Sequence, residues 1–340
     1  MSEQFDFGVR VGMVIMCVAS AASALAVGGL LLYIAYSAVT LRRNALRRWS
    51  TDTHIHYYFL NMMISHLILS IGELLNIKWI VEAMLYPSTV CTVQGFLLQV
   101  GNVGVGLSTM AVAVHVLQVL VLQWTPPPKF ALPVLAIIWL VILLLVVVPP
   151  IVVQHNIYGS SGYWCFVDGS IMTQVGLVYI WLWVSGVVNT ISYLLLALVI
   201  TRLVLVDGHR FRWRRKQDRG IIPYEVDTTA ESVRAIQMLS YPILYTVQVL
   251  PQSVARFSQF SGHDVPFAAT AFTSTLFASC GLFNVILYAF TRPRLMPGRP
   301  SHAPQSVRVA TPRVAHSRFP QGYTVEDDNS ATETGPVQVP

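Results

Sequence analysis

The chain reads as an all-α membrane protein, a seven-transmembrane helix bundle with its N-terminus outside and its C-terminus in the cytoplasm. Three observations predict this. The 340 residues are 54% hydrophobic and only 11% charged, far from a soluble globule. Seven apolar segments each reach the roughly 20 residues of helix that span a bilayer's hydrocarbon core. Basic residues fall in alternate loops, and Lys and Arg favour the cytoplasmic side.

The segments run 11–40, 57–79, 91–123, 130–154, 172–204, 232–257 and 266–290. Backbone amides in lipid need partners within their own segment, so each segment is expected to be helical. Arg42, Arg43, Arg47 and Arg48 follow the first, and Lys129 lies between the third and fourth. Arg210, Arg212, Arg214, Arg215, Lys216 and Arg219 sit between the fifth and sixth, and Arg292 and Arg294 follow the seventh. The other side has Arg10, Lys78 and Arg256, and none in the loop 155–170. This pattern requires an odd number of crossings. Residues 1–10 then form a short extracellular N-terminus, too short and polar for a cleavable leader. The transmembrane domain covers 11–292. The tail 293–340, rich in Pro, Ser, Thr and Gly, is expected to be disordered and cytoplasmic.

The net charge of +6 sits largely in loops and tail, so it reports topology first. No compact basic domain is apparent, and no nucleic acid is expected as a partner. Cys17 and Cys280 lie within apolar segments as small packing residues. Cys91 and Cys165 both fall on the outer side, where a disulfide is allowed. Free thiols are the alternative, and the matched topology favours a bridge.

Polar residues inside spans mark sites or helix contacts. His66, Ser70 and Glu73 share one stripe of the second segment, and Glu73 is the one acid well inside any segment. Gln99, Asn102, Gly106 and Thr109 share a face of the third, read mainly as packing, with Gln94 and Gln99 near its outer end. Trp181, Ser185, Asn189 and Ser192 align in the fifth. Gln237, Tyr241, Tyr245, Gln248 and Gln252 align in the sixth. Pro242 and Pro251 interrupt that sixth segment and make it the natural mobile element. Asn284 and Tyr288, one turn apart in the seventh, can exchange hydrogen-bond partners between two arrangements.

Several classes share this size. A retinal protein needs a lysine in the last helix, and none is there. A seven-helix zinc hydrolase needs converging ligands, and His66 and His115 lack ligand spacing. No enzymatic activity, metal or cofactor is expected. A transporter should show internal repeats and buried ion-coordinating charges, for which Glu73 alone is thin support. A receptor needs an outer pocket, a hinged helix and a basic inner surface.

The run Gly162-Tyr163-Trp164-Cys165-Phe166 resembles the outer-loop Trp-Cys-aromatic motif of the cyclic-AMP-receptor-like G-protein-coupled receptors of slime moulds and fungi. Cys91-Thr92-Val93-Gln94-Gly95-Phe96 resembles the start of helix three in the fungal carbon-sensor branch. Met238-Leu239-Ser240-Tyr241-Pro242, with Pro251 and Arg256, is similar to its sixth helix, and Gly281, Asn284, Tyr288 and Arg292 to the end of its seventh. The resemblance implies a Cys91–Cys165 bridge and nucleotide exchange on a heterotrimeric G protein at the cytoplasmic face. It implies an extracellular signal, a nutrient or a cyclic nucleotide. Departures are His115-Val116-Leu117-Gln118 where a rhodopsin-class receptor has its acidic-basic-aromatic triplet, and an inner loop, 207–231, shorter than in fungal sugar-sensing relatives.

The expectation is therefore a multi-pass plasma-membrane receptor, with a membrane transporter as the alternative. Expected ligand contacts are Glu73, Gln94, Gln99, Trp181, Gln248 and Gln252. Pro242, Pro251, Asn284 and Tyr288 would form the switch. Arg42, Arg43, Arg212, Arg214, Arg215 and Lys216 would face the G protein, although anionic lipid explains basic loops equally well.

Overall fold

The computed structural model describes residues 4–43, 55–121, 128–153, 157–200, 204–207, 210–213 and 240–291. They belong to one compact unit, Met1–Pro297. Arg214, Arg215, Lys216, the stretch 232–239 and the tail from 292 lie outside the described residues.

Among the described residues, six helical stretches are long and apolar enough to cross a membrane. Helix α1 (Phe7–Arg43) carries Val14, Val18, Leu25 and Leu32 on an exposed face. Helix α5 (Ala131–Val153) likewise exposes Leu140, Leu143, Leu144, Ile151 and Val152. Soluble proteins rarely show contiguous apolar surface of that extent, so the bundle's outer wall suits lipid. This is a helical membrane protein.

Helix α2 (Ile55–Leu74) stops where the sequence predicts an unbroken span, and α3 (Asn76–Glu82) restarts after Leu75. The cause is a side chain entering the backbone ladder. The Gly72 carbonyl accepts from Gln94 Nε2 at 3.4 Å and from the Leu75 amide at 3.3 Å. A short i→i+3 turn results.

Helix α4 (Thr89–Leu120) is the central stave, begun by Ser88, whose hydroxyl accepts the Cys91 amide. It lies against α2 so closely that a Cβ at Gly101 would stand 2.7 Å from the Leu69 Cα. Small residues permit that approach between membrane helices.

After α5 comes an antiparallel hairpin of β1 (Tyr158–Ser160) and β2 (Cys165–Val167), with Ser160 opposite Cys165. Strand β2 is buried along its length against α4. Next come α6 (Ile171–Gln174), a π-turn over Val175–Tyr179, and α7 (Ile180–Ile200). The fifth segment was expected to stay helical to 204. Instead α7 ends at Ile200, and β3 (Val204–Asp207) pairs with β4 (Arg210–Trp213), placing Arg212 opposite Leu205.

Helix α8 (Ser240–Phe260) contains Pro251 in its interior, while Pro242 falls in the first turn described. With three glutamines, Arg256 and two serines beyond Tyr245, α8 is not among the six apolar stretches. The last span is split into α9 (Phe267–Ala278) and α10 (Cys280–Thr291). Thr275 and Ser279 each donate a hydroxyl hydrogen bond to the carbonyl four residues back, a pattern that bends helices.

Candidate functional site

Cys91 at the start of α4 and Cys165 in β2 are joined by a disulfide. One turn along α4, Gln94 is wholly buried and ties three elements to that junction. Its Oε1 accepts from Trp79 Nε1 at 2.7 Å and from the Cys165 amide at 3.1 Å. Its Nε2 donates to Asn76 Oδ1 at 2.7 Å. The hairpin is thus held covalently and by hydrogen bonds to one turn of α4.

A second brace stands below. Tyr158 Oη donates to Gln99 Oε1 at 2.6 Å, and Gln99 Nε2 donates to the Leu145 carbonyl at 3.2 Å. Burial pushes the Tyr158 phenol up to about 12, so it holds its proton.

Beneath the hairpin lies a cavity of about 40 Å³. Its roof is Trp164 and Phe166. Leu98 and Asn102 of α4 and Leu182 of α7 line one side, with Val178 and Tyr179 supplied by the π-turn. A π-turn widens a helix locally and often occurs at working sites. Gln252, Ser253 and Arg256 of α8 and Ser274 and Phe277 of α9 line the other. Glu73, at the end of α2, supplies the carboxylate.

Two opposite charges therefore face one small space. Glu73 Oε2 accepts a single hydrogen bond, from Asn76 Nδ2 at 3.3 Å. Arg256 is 9% exposed; its Nη1 donates to Gln259 Oε1 at 3.1 Å, and its guanidinium lies 5.1 Å from the Trp164 ring centroid. Arg256 Nε is buried without a partner. The two charges are near enough to interact electrostatically without forming an ion pair.

The expected ligand contacts divide sharply. Glu73 and Gln252 line the cavity, where Gln252 Oε1 accepts from Ser274 Oγ at 3.4 Å. Gln94 and Gln99 serve as braces. Trp181 packs in the apolar cluster between α4 and α5, its Nε1 donating to the Gly176 carbonyl. Gln248 is buried away from the cavity, and neither amide atom has a partner. Arg256, Asn102, Tyr179 and Ser274 were not among the expected contacts. For Arg256 a signal existed: it stands one turn beyond Gln252. Nothing in the sequence marked the π-turn that delivers Tyr179.

At the opposite end of the bundle, Asn284 Nδ2 and His66 Nε2 lie 2.9 Å apart, linking α10 to α2. The Tyr288 ring stacks on Phe59 at 4.7 Å. Asn284 and Tyr288 therefore contact the same partner helix. Arg42 and Arg43 close α1. Among the described residues, no three His, Cys, Asp or Glu side chains converge as metal ligands.

The fold and site define a class, a polytopic helical membrane protein with a small charged cavity closed by a disulfide-anchored hairpin. No family model and no curated protein matches this chain.

Proposed function

We propose that this protein is a seven-transmembrane receptor of the plasma membrane that transmits an extracellular chemical signal to a heterotrimeric G protein. The observation that carries the reading is the placement of Arg256. A buried, incompletely paired guanidinium borders a small cavity, on the helix that a proline interrupts. In this reading α8, with residues 232–239 before it, is the sixth of seven spans, the hairpin faces outward and 214–231 faces the cytoplasm.

The mechanism follows from size. A cavity of about 40 Å³ has room for about three water molecules, whereas drug-sized ligands occupy roughly 300 Å³ or more. Any larger occupant must displace a wall. Helices α2 and α4 are locked together at Gly101 and Gln94, so the yielding wall is α8. Pro251 has no amide hydrogen and leaves the Val247 carbonyl without its helical donor. Gln248 has no partner among the described residues, so no hydrogen bond of its amide holds α8 in place. A ligand that favours the open arrangement by ~1.4 kcal/mol multiplies its ratio to the closed one tenfold.

The test is nucleotide exchange on a heterotrimeric G protein by the full chain in lipid nanodiscs, beside protease accessibility of 160–163 and 214–231 on intact cells. Ligand-dependent exchange that Arg214→Glu with Arg215→Glu abolishes, at unchanged surface expression, fits the receptor. Both segments accessible from one face ends the reading. Solute uptake into liposomes without exchange establishes the transporter instead.

A further inference from the structure

The geometry points to a small α-zwitterion, a free amino acid of the size of glycine, alanine or serine, as the ligand of the cavity under the hairpin, its ammonium on Glu73 and its carboxylate on Arg256. What the ligand triggers rests on the receptor reading above; whether it binds does not.

Three observations carry the assignment. First, the cavity presents one anion and one cation and fills neither: among the described residues Glu73 Oε1 accepts no hydrogen bond, and Arg256 Nε donates none. A guanidinium with free donors suits a carboxylate, which it can engage through two parallel hydrogen bonds. Glu73 is acceptor-only when ionised and suits an ammonium. Second, the walls between the charges are Trp164, Phe166, Leu182 and Phe277, apolar surroundings in which electrostatic contacts are stronger than in water. Leaving both charges unpaired there is unfavourable, and one small molecule with both complements relieves it. Third, a cavity of about 40 Å³ suits a compact occupant.

The same features disfavour other classes. A cyclic nucleotide is several times too large, and its phosphate would approach Glu73. A sugar offers hydroxyls but no charge, and leaves both side chains without a counter-ion. Binding also draws Arg256 towards the ligand, so occupancy acts directly on the proline-containing helix.

The experiment uses the purified full chain in nanodiscs, with thermal unfolding read against glycine, L-alanine and L-serine at millimolar concentration. Two one-ended analogues accompany them: L-alaninamide lacks the carboxylate, and propionate lacks the ammonium. The expected result is a saturable upward shift with at least one amino acid. Each analogue should bind more weakly by roughly tenfold or more, as follows from removing one charged hydrogen-bonded contact. Arg256→Gln should erase the preference for amino acid over amide, and Glu73→Gln the preference over propionate. The analogue series on the unmodified chain decides the matter if either variant fails to fold. No shift with any amino acid, or equal shifts with the analogues, overturns the proposal. Binding without G-protein exchange leaves this inference standing and removes the receptor; exchange driven by some other solute, without amino-acid binding, does the reverse.

Discussion

Helices α4 and α8 carry the same polar vocabulary and use it in opposite ways. On α4, Gln94 takes part in four hydrogen bonds and Gln99 in three, joining α3, the hairpin and neighbouring backbone carbonyls. On α8, Gln248 is as deeply buried and makes none, Gln252 shares one long contact with Ser274, and Arg256 leaves its Nε idle. A glutamine inside a membrane helix is therefore no indication of a binding site by itself. What separates scaffold from moving part is whether the side chain's hydrogen-bonding capacity is already filled. The filled helix holds the hairpin, and the unfilled one borders the cavity and contains Pro251.

The contrast can be broken by measurement. The largest effect is expected from Gln94→Leu, which takes the hydrogen-bond partner from the Trp79 indole, from Asn76 Oδ1 and from the Cys165 amide. At about 1–3 kcal/mol for each buried unsatisfied group, the folded yield and thermal midpoint in detergent should collapse. A midpoint within a degree or two of the parent would show that α4 is not the scaffold.

Next in size is Tyr158→Phe, which leaves Gln99 Oε1 short of its donor and should lower stability by about 1–2 kcal/mol. Its pH signature is specific. The Tyr158 phenol is raised from 10.0 to about 12 by burial, so the unfolded chain loses this proton first as pH rises. The contribution is fully present below pH 10 and is lost as pH climbs towards about 12. Thermal unfolding of the phenylalanine variant should lack that component of the alkaline decline.

On α8 the sign should invert. Gln248→Leu removes an unpartnered buried amide and should leave stability unchanged or raise it by about 1 kcal/mol, while reducing ligand-driven exchange. A loss as large as that of Gln94→Leu would erase the distinction between the helices. Pro251→Ala restores a backbone donor for Val247 and should give the smallest stability change, a gain of under about 1 kcal/mol, with a weaker response to ligand. A stronger response would mean that the proline restrains the helix.

The helical fold was legible because its signal is long-range and simple: stretches such as Phe7–Thr40 and Ala131–Val152 are dominated by apolar residues over more than 20 positions. The breaks were not. The interruption at Leu75 depends on Gln94, nineteen positions away, competing for the Gly72 carbonyl, and periodicity does not encode such a partner. The site was half legible for the same reason. Glu73 stood out as the intramembrane acid, but that Gln94 and Gln99 are already engaged, and that Arg256 swings under Trp164, are facts of tertiary pairing. The π-turn has no composition of its own: Val175-Gly176-Leu177-Val178-Tyr179 reads as ordinary helix.

That wide turn has a consequence for how the chain tolerates change. It inserts one surplus residue, and each helical residue advances the spiral by about 100°. Val178 and Tyr179 meet the cavity, while Ser185, further along, donates to the Gly106 carbonyl at 2.6 Å. Val178, Leu182 and Ser185 keep ordinary helical spacing, so the slip falls ahead of them, between α6 and α7. Excising a single residue from 175–179 would straighten the spiral and turn α6, with the segment that leads back to the hairpin, by about 100° against α7, a heavier injury than many side-chain replacements there.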